Sequence, residues 1–212
     1  TSFLAALLCL HMAAPLAAKD LRVAFFSAGL SRKGPGLLLR DISSGKDAQI
    51  SAVQEIIKQV SPDILLISDF DYDAELRALN VFNQRLGAAR YQHLFALRPN
   101  SGMHTGLDLN GDKRRGTPRD AQGFGYFAGQ GGLALLSRFP IDKAAVQDFS
   151  SLLWKDFPNA LLPTWPNGAA FPSPEAQAAQ RLSSVAHWLI PVKLPSGPLT
   201  LFAYQAGPPV FD

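Results

Sequence analysis

Cysteine is almost missing from this chain. The single one, Cys9, sits in the apolar opening stretch, so the remainder holds no disulfide, a state that an oxidising compartment permits without requiring. Excess charge is also scarce: the formal net charge is +3 and the pI is near 9.1. That mild basicity is compatible with an anionic substrate, but no basic stripe with interleaved aromatics indicates nucleic acid as a partner. Lys113-Arg114-Arg115 is the one cationic run, and a run of three alone reads as solvated loop. His93 and His104 lack partners at ligand spacing, and no serine has the spacing of a nucleophile elbow, which argues against a Ser/His/Asp hydrolase. Internal repeats and low-complexity tails are absent. What is present is apolar: 47% of the 212 residues are hydrophobic and 17% charged, enough to bury the core of one large domain.

Residues 1–18, TSFLAALLCLHMAAPLAA, read as the apolar part of a secretory signal ending in small residues, its basic start missing. Cleavage after Ala18 leaves residues 19–212 as the mature domain. The run is too short and alanine-rich for a membrane span. A secreted or periplasmic location follows as an expectation, with no membrane span after cleavage and a monomeric state.

The chain is organised around residues 62–73, PDILLISDFDYD. A short apolar run after a Ser-Pro break has the pattern of a strand buried on both faces. Asp69, Asp71 and Asp73 follow at alternating positions. Loops at the carboxyl ends of such strands are where α/β folds collect ligands, and acidic groups there suit a hard divalent cation. Against that stands a local reading, in which Asp73 caps the next helix and Asp71 belongs to the same turn.

Around this stretch the pattern alternates. Residues 21–27 read as the first strand, followed by a loop with Gly29, Gly34, Pro35 and Gly36. Asp47 is placed to cap a helix over residues 48–60, and residues 74–86 carry Leu76, Leu79, Phe82 and Leu86 at helical spacing. Residues 91–97 and 132–141 read as further strands, the latter leading to Arg138, expected to pair with a surface acid. Residues 182–194 and 199–204 read as a hairpin about Pro195-Ser196-Gly197-Pro198. Residues 154–179 read as irregular surface with one short helix. The whole is an α/β organisation. Residues 100–132 hold nine glycines and no apolar period, a loop long enough to be functional. Within it Asp108, Asn110 and Asp112 have the opening spacing of a calcium loop. Lys113 replaces the tight-turn glycine and Arg119 the bidentate glutamate, so a complete EF-hand is excluded, and a partial calcium loop or a metal-free Asx turn remains. Gln122 and Gln130 either touch substrate or stabilise the loop.

RVAFFSAGLSRKGPG, PDILLISDFDYD, GLDLNGDKR, DAQGFGYFAGQGGLALLSRFPI, QRLSS with HW, and PPVFD occur in that order. Together they resemble the endonuclease/exonuclease/phosphatase family, the DNase I-like phosphoesterases, in a secreted bacterial branch. The resemblance implies a four-layer sandwich of two mixed β-sheets with outer helices, incomplete at the C-terminus. It also implies a divalent metal, Mg²⁺ first and Mn²⁺ or Ca²⁺ otherwise, and a phosphoester substrate. On the family pattern Asp69 takes the place of an acidic metal ligand, usually Glu, and Ser27 that of an Asn. Gln205 takes the place of a His before Pro-Pro. Outside that pattern, Arg181 either faces the cleft or is a hydrogen-bonded sheet-edge residue, and His187 either faces the cleft or is a satisfied half-buried histidine. The Gly-Asp-x-Asn and Asp-His motifs of the family would fall beyond Asp212. The expectation is therefore a metal-dependent phosphoester hydrolase of which these residues form an inactive part. The alternative is a non-catalytic relative that keeps the sandwich for binding.

Overall fold

The first strand, β1 (Val23–Ser27), pairs in parallel with β2 (Ile64–Phe70), from Val23 opposite Ile64 to Ser27 opposite Ser68. A parallel pair needs a crossover, and two helices supply it. These coordinates are a computed structural model, which describes residues 20–205; the expected signal segment and the PPVFD motif lie outside the described residues. The first crossover helix, α1 (Leu37–Ser44), falls where a loop was expected. Leu38 and Ile42, one turn apart, are buried, and Gly36 (φ 75°) and Gly45 (φ 66°) close its two ends in the left-handed region. The second, α2 (Ala48–Val60), has the expected bounds: Asp47 accepts the Ile50 N–H at 2.9 Å, and Ile50, Val53 and Ile57 face inward.

After β2, α3 (Arg77–Gln84) is shorter than the 74–86 pattern. Its start is set by Asp73, whose two carboxylate oxygens accept the N–H groups of Arg77 at 2.7 Å and Ala78 at 2.9 Å. Asp73 is thus a helix cap. β3 (His93–Phe95) and β4 (Gly132–Ser137) complete a mixed sheet in the order β1-β2-β4-β3. β4 is buried along its whole length. A second, antiparallel sheet consists of β5 (Gln147–Asp148), β6 (His187–Leu194) and β7 (Gly197–Tyr204). α4 (Pro174–Ala179) is a short helix of the kind expected within the otherwise irregular residues 154–179.

Alternation along the strands separates two cores. Leu65, Ile67, Ala134 and Leu136 meet Leu38, Ile42, Val53, Ile57 and Phe82 of the helices. Ile64, Leu133 and Leu135, on the opposite face, meet Trp188, Ile190 and Val192 of the second sheet. Each such side chain contributes about 1.5–3 kcal/mol of burial, so the central sheet is the shared wall of both cores. The expected α/β sandwich of two packed sheets is present. Of its four layers, three fall within the described residues: helices, mixed sheet and antiparallel sheet. The far face of the second sheet carries Phe202 and Tyr204, both more than half exposed. No helix among the described residues is long and apolar enough to cross a membrane.

Arg138 is held differently from the expectation of an acidic partner. Its guanidinium donates to Ser61 Oγ at 2.6 Å and lies over the Tyr91 ring, because β4 ends beside the α2–β2 turn that carries Ser61 and that the Tyr91 hydroxyl reaches at Pro62 O.

The double cap at α3 yields a stability prediction. Asp73→Ala is expected to lower the unfolding free energy by about 1–2 kcal/mol, read as a drop in the urea midpoint at unchanged m-value; an unaltered midpoint would show that the cap is energetically idle.

Candidate functional site

β2 does not run straight to its end. The pairing with β4 shifts register between Ile67 and Phe70, and Asp69 takes φ +57° at that irregularity. Aspartate visits the left-handed region more readily than most residues, and bulges re-aim side chains at sheet ends. The result is a partly exposed carboxylate turned toward β1, where Ser27 Oγ donates to Asp69 Oδ2 at 3.3 Å. The alternating spacing of the three aspartates therefore does not put them on one face.

Asp71 has a separate task. It is 6% exposed, and its oxygens accept the backbone N–H of Arg32 and of Gly131, each at 2.9 Å. Burial pushes this carboxyl above the ordinary value, against the lowering pull of those two N–H groups; the nearby Asp69 adds a smaller upward push. The clamp joins the loop after β1 to the end of the glycine-rich segment. Gly131 (φ +60°) leaves open the space next to Asp69: a Cβ there would stand 3.6 Å from Asp69 Oδ1 and 3.7 Å from Ser31 Cβ. Arg32 is held in turn by ion pairs to Asp41 and Asp47.

The glycine-rich segment is ordered by polar residues, of which Asn100 and Asp120 are not singled out by sequence patterns. Asn100 is fully buried, and its Nδ2 donates to Ser150 O and Ser183 O. Its Oδ1 accepts from Arg181 Nη1 at 2.6 Å. Among the described residues no carboxylate lies within ion-pair distance of Arg181, so its charge is aimed by a neutral amide. Gln122 accepts the Arg181 N–H and donates to Ala179 O, and Gln130 Oε1 accepts the Tyr126 N–H. Both glutamines thus brace the loop. Asp120, 0% exposed, is its anchor: burial alone would raise its carboxyl, but Thr117 N, Leu109 N and Thr117 Oγ together outweigh burial and hold it below the usual value.

The same segment fixes which strand ends share a side of the molecule. Tyr72, just past β2, donates to Gly129 O, while Asn100 N donates to Val185 O, just before β6. β6 opens at His187, which pairs with Tyr204 of β7. Gln205, following Tyr204, therefore leaves β7 at the end of the sandwich where β2 leaves the first sheet. Its Oε1 is buried without a hydrogen-bond partner among the described residues. His187 instead packs between Phe202 and Tyr204 on the far face of the second sheet. No geometry brings it to Asp69.

Asp108, Asn110 and Asp112 do not converge on an ion. Asp108 accepts the N–H groups of Gly111 at 2.6 Å and Lys113 at 2.7 Å, and Asp112 accepts that of Arg114 at 2.8 Å. The spacing that suggested calcium is an Asx-turn ladder, because carboxylates this close in sequence reach backbone amides first. Among the described residues no three His, Cys, Asp or Glu side chains are grouped to hold a metal. Among the described residues the donor set at Asp69 is one carboxylate with the Ser27 hydroxyl donating to it. That set fits a magnesium-type ion, which keeps several waters and binds through one or two carboxylates plus substrate phosphate, and does not fit an all-protein calcium cage.

An α/β sandwich of two packed sheets with polar side chains gathered at one end is the class that fold and site define. The model of the Endonuclease/Exonuclease/phosphatase family matches residues 37–201, and the chain belongs to that family, one of phosphoesterase and nuclease-type hydrolases. The crystal structure of endonuclease/exonuclease/phosphatase from Beutenbergia cavernae DSM 12333 is similar at 13% identity and a TM-score of 0.46, over 89% of this chain and 39% of that one. The chain thus spans well under half the length of that relative. Comparison with curated proteins finds no match.

The Asp120 anchor has a pH signature. Its folded-state pKa lies below the unfolded value, so its stabilisation is present above the ordinary aspartate range and lost as pH falls through the folded value. Asp120→Asn is expected to be less stable than the wild type at pH 7, with the gap narrowing on acidification into that window. Parallel denaturation curves across the whole range would refute the assignment.

Proposed function

We propose that this chain carries the substrate-facing strand ends of a divalent-metal-dependent phosphoester hydrolase, exported to a secreted or periplasmic location. The observation that supports it most directly is the re-aimed Asp69 carboxylate beside Ser27 at the exit of two paired strands. A phosphoester is anionic, and a divalent ion supplies charge neutralisation at its oxygens. Asp69 is the residue to hold such an ion, Mg²⁺ before Mn²⁺ or Ca²⁺, with Ser27 reaching its water shell. Arg181, braced by Asn100 and Gln122, offers a guanidinium fork to phosphate oxygens, a geometry suited to bidentate contact. Gln205 contributes an amide that orients the ester by hydrogen bonding.

A second reading is favoured by two of these residues. Neither the hydroxyl of Ser27 nor the amide of Gln205 moves a proton near neutral pH, which fits a relative that binds without turnover. The same chemistry makes slow or absent hydrolysis by these 212 residues the expectation even under the first reading.

Both readings are separated by hydrolysis of bis(4-nitrophenyl) phosphate with and without Mg²⁺. Asp69→Asn, which keeps the tolerance for positive φ, is expected to remove all metal-dependent turnover and metal binding while the protein stays folded. Ser27→Asn with Gln205→His is expected to raise turnover by about 10²-fold or more, the scale of a restored general acid–base group. Activity indifferent to chelator and to Asp69→Asn would overturn the metal-dependent reading. A protein that binds the phosphoester equally well with and without Mg²⁺, and turns it over neither before nor after repair, would favour the binding module.

A further inference from the structure

The glycine-rich segment that reaches Asp69 at Gly131 also exposes two aromatic rings that the core does not need. Phe124 and Tyr126 are 55% and 48% exposed, with ring centroids 5.6 Å apart in an edge-to-face pair. The loop that carries them is rigidly held. Gly125, between them, packs so closely on Gly102 that a Cβ would stand 2.6 Å from Gly102 N, so the backbone is pressed down there while the flanking rings remain outside. Tyr126 N–H is fixed by Gln130 Oε1, and Gly123 lies against Ser184 O with no room for a side chain. An ordered loop that holds two large rings in solvent marks a recognition surface.

Its position says what it recognises. Lys33 places its ammonium 5.8 Å from the Tyr126 ring centroid. Lys33 follows Arg32 and Tyr126 precedes Gly131, and Arg32 and Gly131 are the two residues whose N–H groups Asp71 clamps together next to Asp69. With Tyr126 N–H held by Gln130, the residue before Gly131, Tyr126 and Lys33 sit on the two segments that Asp71 clamps together next to Asp69. A cation and exposed π-faces on those segments suit a ligand with a flat aromatic group joined to a phosphate.

We propose that Phe124, Tyr126 and Lys33 form a subsite for the planar aromatic portion of a phosphoester, the rings stacking on that group and Lys33 meeting the phosphate charge. This rests on the phosphoester reading of the Asp69 cleft and narrows its substrate class. The chemistry is shared by nucleobases and by simple aryl groups.

The test is calorimetric titration in Mg²⁺ buffer with thymidine 5′-monophosphate, 4-nitrophenyl phosphate and glycerol 3-phosphate. Both aromatic esters are expected to bind about tenfold or more tighter than glycerol 3-phosphate, the scale of one stacked ring. A gain for the nucleotide alone identifies the nucleobase, and a gain for both identifies any flat ring. Phe124→Ala and Tyr126→Leu are expected to erase the preference, Tyr126→Phe to keep it, and Lys33→Ala to weaken all three esters. Equal affinities, no binding of any ester, or a preference that survives loss of both rings would overturn the subsite. If the ring variants change nothing while Asp69→Asn abolishes Mg²⁺-dependent binding, the subsite alone falls. If Asp69→Asn also leaves binding unchanged, the cleft reading falls with it.

Discussion

One buried carboxylate holds the working end of this molecule together. Asp71 receives two backbone N–H groups from segments ninety-nine residues apart, at Arg32 and Gly131. Hydrogen bonds to a charged group stabilise by about 1.5–3 kcal/mol each, whereas removing a carboxylate from water costs several kcal/mol. The upward displacement of the Asp71 pKa shows that burial outweighs the two bonds. The group is therefore a poor source of stability and an effective source of geometry. It sets the loop after β1 and the end of the glycine-rich segment at one distance from the tip of β2, where Asp69 turns out of the sheet.

The acids of the loops differ in what they face. Asp47, Asp73, Asp108, Asp112 and Asp120 all accept backbone N–H groups from their own neighbourhood. Each has its charge spent on a cap or a turn. Among the described residues Asp69 accepts a hydrogen bond only from the Ser27 hydroxyl. The cations show the same contrast: Arg32 is neutralised by Asp41 and Asp47, while Arg181 is steered by the neutral amide of Asn100. Among the described residues, one end of the sandwich thus carries a carboxylate without an ion-pair partner and a guanidinium held only by neutral groups.

Reading the chain in order disclosed the scaffold well. The continuous apolar run of β2 and the Asp47-capped period of α2 are local patterns, and both appear with the expected bounds or close to them. The helix α1 was hidden because glycines and a proline precede it, although Leu38 and Ile42 one turn apart, with Gly45 beyond, carried the signal. The hairpin of β6 and β7 was legible from its Pro-Ser-Gly-Pro turn. The site was legible only in part. Asp69 stood out by its place after a buried strand, but nothing local separated its role from those of Asp71 and Asp73. Asn100 gave no signal at all, since its partners Ser150, Ser183 and Arg181 lie fifty or more residues away.

The order of residues by itself determined the elements, the buried face of each, and the family to which the chain belongs, because periodicity, capping and turn chemistry act over a few neighbours. Only the tertiary structure decided which of three similar aspartates stays free, why a calcium-like spacing closes on its own amides, and how Lys33 comes to lie against Tyr126. Those outcomes depend on a positive φ at one bulge and on hydrogen bonds between distant loops, and a side chain's charge becomes available or spent only when its partners in space are known.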